Sequence, residues 1–203
     1  MIFQPRPVLS IFLGVAVLLG AGCSTTKETS SGKPYYVKAY RAKNPANVKV
    51  KVSIENQTLY VMEGSRPLMV AACSIGRPST PTPKGNFRIY KKQAKRRRIS
   101  QPGAGYPMGY WCEFKPAYGI HAGWVHPAPR TAGCIRLHFN AAPKFFNLVP
   151  KGAPLNIATR QPEDATIGRN VPRPRDFNDP EFPPHILNTD RIFSVYNGPL
   201  YDD

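Results

Sequence analysis

Residues 48–75, VKVKVSIENQTLYVMEGSRPLMVAACSI, decide the fold. Val48, Val50, Val52 and Ile54 alternate with Lys49, Lys51 and Ser53, the period of two that sends one face of a strand into a core and the other into water. Glu55-Asn56-Gln57 turns the chain into Thr58–Met62, and Glu63-Gly64 turns it again into Leu68–Ile75. Strands joined by such short turns predict a meander of hairpins and a mainly β domain.

The pattern extends toward the C-terminus. Pro78, Pro81 and Pro83 sit in PSTPTPKG, residues 78–85, which cannot be strand interior because proline lacks the ladder N–H; this is a long turn feeding a strand over Asn86–Tyr90. Further strands are predicted at Met108–Phe114, Tyr118–His121, Ile135–Leu137 and Leu155–Ala158. One short helix is predicted, with Asn140 as its N-cap, Pro143 in the first turn, and Phe145, Phe146, Leu148 and Val149 on its buried side. Pro150 and Gly152 stop it.

The ends have a different composition. Residues 1–23 pair Arg6 with an apolar run, Val8–Leu19, then Gly20-Ala21-Gly22 before Cys23. A run of about a dozen apolar residues is short of the roughly 20 that span a bilayer and suits an export signal. Small residues ahead of a cysteine resemble the lipobox of bacterial lipoproteins, which predicts a lipid-anchored Cys23 and delivery to the cell envelope, on the periplasmic side. The usual leucine three residues before the cysteine is absent, and Leu19 lies one step further back. Residues 24–45 read as a flexible tether, with Tyr35, Tyr36 and Tyr40 as the first residues able to pack on the domain. After a domain over 46–159, residues 160–203 are polar and rich in proline, an irregular extension whose Ile192, Phe193, Val195 and Tyr196 are apolar enough to dock back.

At 203 residues the chain holds one ordinary domain plus these flanks, and its 23 prolines, about twice average usage, argue against long helices. The net charge of +16 favours an anionic partner. Read alone, the run Lys91–Arg98 (KKQAKRRR) resembles a nucleic-acid patch, but an exported chain does not meet nucleic acid; the run is either a contact for anionic wall polymer or lipid, or a solvated face. Cys73 and Cys112 lie in apolar strand-like stretches and read as buried small hydrophobes, with pairing to each other as the alternative. No cysteine–histidine spacing suggests a metal, and no cofactor is implied.

Chemistry concentrates in residues 118–137, YGIHAGWVHPAPRTAGCIRL. A strand-like segment delivers His121, a loop follows, and Gly133 precedes Cys134. A free thiol, of pKa about 8.5, is mostly protonated at neutral pH, and an adjacent imidazole that accepts its proton makes it a strong nucleophile. Backbone N–H groups around Gly133 and Cys134 are placed to receive an oxyanion. Arg136 is a candidate for holding a substrate carboxylate, or faces solvent. Trp124, on the loop, is the better cleft candidate of the two tryptophans, Trp111 reading as core; Tyr118 and Thr131 flank the pair as further candidate contacts. His126 reads as a surface imidazole and His138 as a structural hydrogen-bonding one.

The stretch resembles the active-site signature of the bacterial L,D-transpeptidase catalytic domain: a His-Gly, a loop, then Ser/Thr-His-Gly-Cys and an apolar residue. Other features match in order: Leu59-Tyr60-Val61 with Glu63-Gly64; Ser74-Ile75-Gly76 followed by Thr80-Pro81-Thr82-Pro83-Lys84-Gly85-Asn86-Phe87; and Leu148-Val149-Pro150-Lys151-Gly152-Ala153-Pro154-Leu155. The sequence departs from the pattern at Ala132, where the family has histidine, at Ala122 in place of glycine, and in a shorter His121–Cys134 loop. The resemblance implies a β-sandwich of short strands with long loops and one or two short helices. It also implies an enzyme in which Cys134 attacks a peptidoglycan stem tetrapeptide, His121 serves as base, and the thioester passes to an amine. A carboxypeptidase with the same Cys–His pair and an inactive wall-binding module are the rival functions.

Overall fold

In the computed structural model, the residues described are 35–203, with Met1 alone beyond them. Cys23, the leader and most of the tether lie outside the described residues.

The fold is mainly β. Strands β1 (Val48–Ser53), β2 (Thr58–Glu63) and β3 (Arg66–Ser74) form the antiparallel meander read from the sequence. The remaining strands are β4 (Gly85–Arg88), β5 (Lys91–Gln93), β6 (Trp111–Lys115), β7 (Tyr118–Ala122), β8 (Ile135–Leu137) and β9 (Pro154–Ala158). They join one sheet in the order β4-β9-β1-β2-β3-β8-β7-β6-β5. The sheet curls until its ends meet: the chain passes directly from β4 to β5, and Phe87 of β4 packs edge-on against Phe114 of β6 at 5.2 Å. Val48, Val50 and Val52 point into the enclosed core with Leu59, Val61, Ile120, Ile135 and Leu137, as their alternation requires.

Two predicted strands came out differently. The strand predicted over Asn86–Tyr90 stops at Arg88 as β4, and residues 91–93, for which no strand was expected, form β5 at the opposite end of the sheet. Residues 108–110 do not belong to β6; their N–H groups bond instead to the segment 94–98, as Met108 N to Arg96 O and Tyr110 N to Ala94 O, both 2.8 Å. Helix α1 (Ala142–Leu148) is where expected, but its N-cap is Ala141, without a side-chain cap. Asn140 instead gives its amide to the Tyr35 carbonyl, a tertiary bond invisible to local reading.

Both flanks pack on the domain. Val37 and Ala39, inside the stretch read as tether, are buried, and Tyr40 N donates to Leu68 O at 2.9 Å. The extension contains a 3-10 turn at Pro162–Ala165, a short helix α2 (Pro184–Leu187) and a 3-10 turn at Asp190–Ser194, from which Ile192 and Phe193 are buried. Asp202 returns to Lys144 of α1, a lysine with 1% of its side chain exposed; the ammonium lies 3.2 Å from Asp202 and 3.0 Å from the Tyr36 hydroxyl. Cys73 and Cys112 are free and buried, each thiol pushed up to about 12 by burial.

Candidate active site

Parallel pairing of β7 with β8 sets Ile120 opposite Ile135 and His121 opposite Arg136. Cys134 lies one residue before β8, so His121 and Cys134 share the face opposite the core as diagonal neighbours on adjacent strands. Ile120, just before His121, and Ile135, just after Cys134, fill the core and lock this register, because a slip by one residue would bury the polar face.

The Cys134 thiol is half-buried, and its Sγ donates toward the Ala117 carbonyl at 3.7 Å. Burial raises its pKa; the Gly119 N–H and the cations of Arg136, Arg96 and Arg98 act in the opposite direction. His121 is 5% exposed. Its Nδ1 is 2.8 Å from the Ala122 carbonyl oxygen, which only accepts, so Nδ1 carries the proton and Nε2 the lone pair. Burial, and next the positive field of Arg136, lower its pKa from 6.5 to about 3. The resting pair is therefore a neutral thiol and a neutral imidazole whose tautomer is set by a backbone carbonyl. Such a pair can pass a proton from sulfur to nitrogen as the sulfur attacks.

The cysteine loop is braced from the proline turn. Thr82 Oγ1 accepts from Gly76 N at 2.9 Å and donates to Gly133 O at 3.0 Å. Gly133 has φ +107, and a Cβ there would fall 2.6 Å from the Tyr118 ring, so only glycine fits between Tyr118 and the turn. Its N–H, however, donates to Thr131 Oγ1 at 3.1 Å and is not free for an oxyanion. Thr131 also donates to Cys134 O at 2.6 Å and is buried; it is a brace within the loop, not an open substrate contact. Trp124 likewise differs from expectation. Its ring stacks on Phe182 of the extension at 5.6 Å and meets Phe139 edge-on at 5.0 Å, an aromatic cluster that leaves Trp124 half-buried. Tyr118 stays half-buried beside Gly133, and Arg136 lies along Gly123, half-buried and, among the described residues, without an ion-pair or hydrogen-bond partner. His138 makes its structural bond, Nε2 to Asp176 at 2.7 Å.

Sequence reading missed the Ala122 carbonyl and Trp111. Trp111 is core, as read, but its ring also lies 5.9 Å from that of His121 and directly over Gly119, where a Cβ would fall 2.6 Å from it. No sequence signal marks a backbone carbonyl. Gly119, inside a strand, is the kind of glycine that reports a close approach.

The family whose pattern matches this chain is the L,D-transpeptidase catalytic domain, over residues 47–157. The chain belongs to this family. The chain is 29% identical over 136 residues to a putative L,D-transpeptidase, YkuD, from Bacillus licheniformis, an alignment that covers 64% of this chain and 77% of that protein. A second YkuD, from Bacillus subtilis, is 28% identical over 151 residues, covering 71% and 87%. Among solved structures, an L,D-transpeptidase from Stackebrandtia nassauensis superposes with a TM-score of 0.51 at 22% identity, over 62% of this chain and 60% of that one. One from Xylanimonas cellulosilytica gives 0.51 at 18%, over 58% and 63%. The chain thus spans about 60% of these solved structures, and the likeness establishes the L,D-transpeptidase fold, the curled sheet of short strands described above.

Proposed function

We propose that this L,D-transpeptidase-family chain is a cysteine acyltransferase of the cell envelope that acts on peptidoglycan stem tetrapeptides. One observation carries the reading. A buried, neutral imidazole, its Nδ1–H committed to Ala122 O, lies beside a half-buried cysteine on the same sheet face, with Nε2 left as a base. Cys134 Sγ attacks the carbonyl joining residue three of the stem to the terminal D-Ala, while Nε2 of His121 takes the thiol proton. The carbonyl electrons move to oxygen, which the Cys134 N–H receives, since Gly133 N–H is engaged. Collapse breaks the C–N bond, His121 returns its proton to the departing amine, and D-Ala leaves with the acyl group held as a thioester. An amine of a second stem attacks the thioester, gives its surplus proton through His121 to sulfur, and leaves a new amide and a free thiol. Arg136, without a partner among the described residues, holds a substrate carboxylate, and Tyr118 flanks the acyl group. Export and lipidation of Cys23 belong to the same reading and place the enzyme at the membrane, against its anionic wall substrate.

Incubation with a carbapenem tests the nucleophile; a solved relative is described in complex with imipenem. A mass increment on the protein that disappears in Cys134→Ala is the expected result, and an unmodified wild-type protein overturns the assignment. Stem tetrapeptide then reports the acceptor: a dimer lacking one D-Ala is the transpeptidase product, whereas tripeptide alone makes the protein a carboxypeptidase.

A further inference from the structure

The basic run Lys91–Arg98 is neither uniformly solvated nor uniformly available to a polymer. Its segment 94–98 runs antiparallel to 106–110, with Tyr110 N bonded to Ala94 O, Met108 N to Arg96 O and Arg98 N to Tyr106 O. Successive side chains of such a ribbon point to opposite faces. Lys95 and Arg97 share the outer face and hold the C-terminal extension: Lys95 Nζ is 2.9 Å from Asp190, and Arg97 donates to the carbonyls of Leu187 and Thr189 at 3.0 and 2.8 Å. Arg96 and Arg98 take the other face, toward the thiol.

Arg96 lies on this inner face. Its guanidinium carbon is 4.4 Å from the Trp111 ring centre; that ring covers Gly119, which neighbours Cys134 across the β7–β8 pairing, and lies 5.9 Å from the His121 ring. Arg96 Nε is buried and has no hydrogen-bond partner. The acid nearest in influence, Glu113, gives its oxygens to Tyr90 and to the Trp111 Nε1–H at 2.9 and 3.0 Å and makes no ion pair with Arg96. The Arg98 side chain, among the described residues, bonds only Ser100. None of Arg96, Arg98 and Arg136 forms an ion pair among the described residues. Three guanidinium groups whose charge reaches one thiol, each without a direct ion-pair partner among the described residues, exceed what the single carboxylate of a leaving D-Ala would match.

We propose that Arg96, supported by Arg98, is a specificity-determining residue that binds a second carboxylate on the acyl donor, selecting stems whose third residue keeps a free side-chain carboxyl over those in which it is amidated or absent. This rests on the transpeptidase reading and names its donor. Arg96 is suited to the task, because its plane is fixed by Trp111 and its fork matches a carboxylate in two hydrogen bonds. Binding has a second effect. A carboxylate on Arg96 cancels part of the positive field that holds down the basicity of His121, so the correct donor sharpens its own base.

Two synthetic tetrapeptides that differ only in a free or amidated carboxyl on residue three, assayed separately for D-Ala release, test the proposal. Wild type is expected to favour the free acid in kcat/KM by about tenfold or more, the weight of one charge-assisted contact. Arg96→Gln is expected to abolish the preference by losing activity on the free acid while its rate on the amide holds or rises; Arg96→Lys is expected to restore it in part. Arg97→Gln, on the outer face, is expected to leave the ratio unchanged. Equal wild-type rates on the two donors overturn the proposal without any variant, as does an Arg96→Gln protein that loses both activities equally. Release from neither donor by a wild-type protein that still forms the carbapenem adduct overturns the stem-peptide reading, and this inference with it.

Discussion

Acidification should cost this fold stability through one imidazole. His121 has an ordinary pKa of 6.5 when the chain is unfolded and about 3 when folded, first because it is buried and then because Arg136 and Arg96 face it. Between those values the unfolded chain binds a proton that the folded chain refuses. Stability from this group is therefore fully present above 6.5 and drains away as pH falls toward 3. At about 1.4 kcal/mol per pH unit, the whole window is worth about 5 kcal/mol, a large share of a domain's usual stability. Urea unfolding from neutral pH down to about 4, on wild type and on His121→Gln, isolates the contribution, because the carboxylates titrate alike in both. The difference in slope is the readout. The ring-proton resonance of His121 gives a direct check: it should not move near pH 6.5. A carbapenem acylation profile should likewise lack a limb there, since the imidazole is already neutral. A His121 resonance that titrates near its ordinary value, with equal slopes in the two proteins, would refute the burial and the neutral-pair mechanism together.

Three further outcomes follow from packing and backbone conformation. Asp202→Ala leaves the buried Lys144 ammonium without its carboxylate and the Ala39 N–H without the acceptor it meets at 2.7 Å; denaturant unfolding should show a loss of about 3 kcal/mol, largely recovered in Asp202→Ala/Lys144→Met. Gly119→Ala drives a methyl to within 2.6 Å of the Trp111 ring; about 1–3 kcal/mol of stability should be lost and carbapenem acylation slowed, because that ring abuts His121. Gly64→Ala, at φ +61 with open space around it, should cost about 1 kcal/mol and leave acylation alone.

Much of this protein was decided by local sequence. Alternation over residues 48–54 and the turns at 55–57 and 63–64 specify the first three strands, since period and turn chemistry act within a few residues. Histidine at the end of one strand and cysteine before another were legible for the same reason, and family resemblance supplied their pairing. Tertiary structure alone decided the rest. Thr131 and Trp124 looked open as sequence, and the fold buried the first against Cys134 O and stacked the second on Phe182. Asn140 gave up its cap to reach Tyr35 across 105 positions of chain. The run KRRR separated into cations for the extension and cations for the thiol only when the segment found residues 106–110 as a partner. Composition counts charges, but a side chain's direction depends on the strand beside it, and its partners on segments far away in sequence.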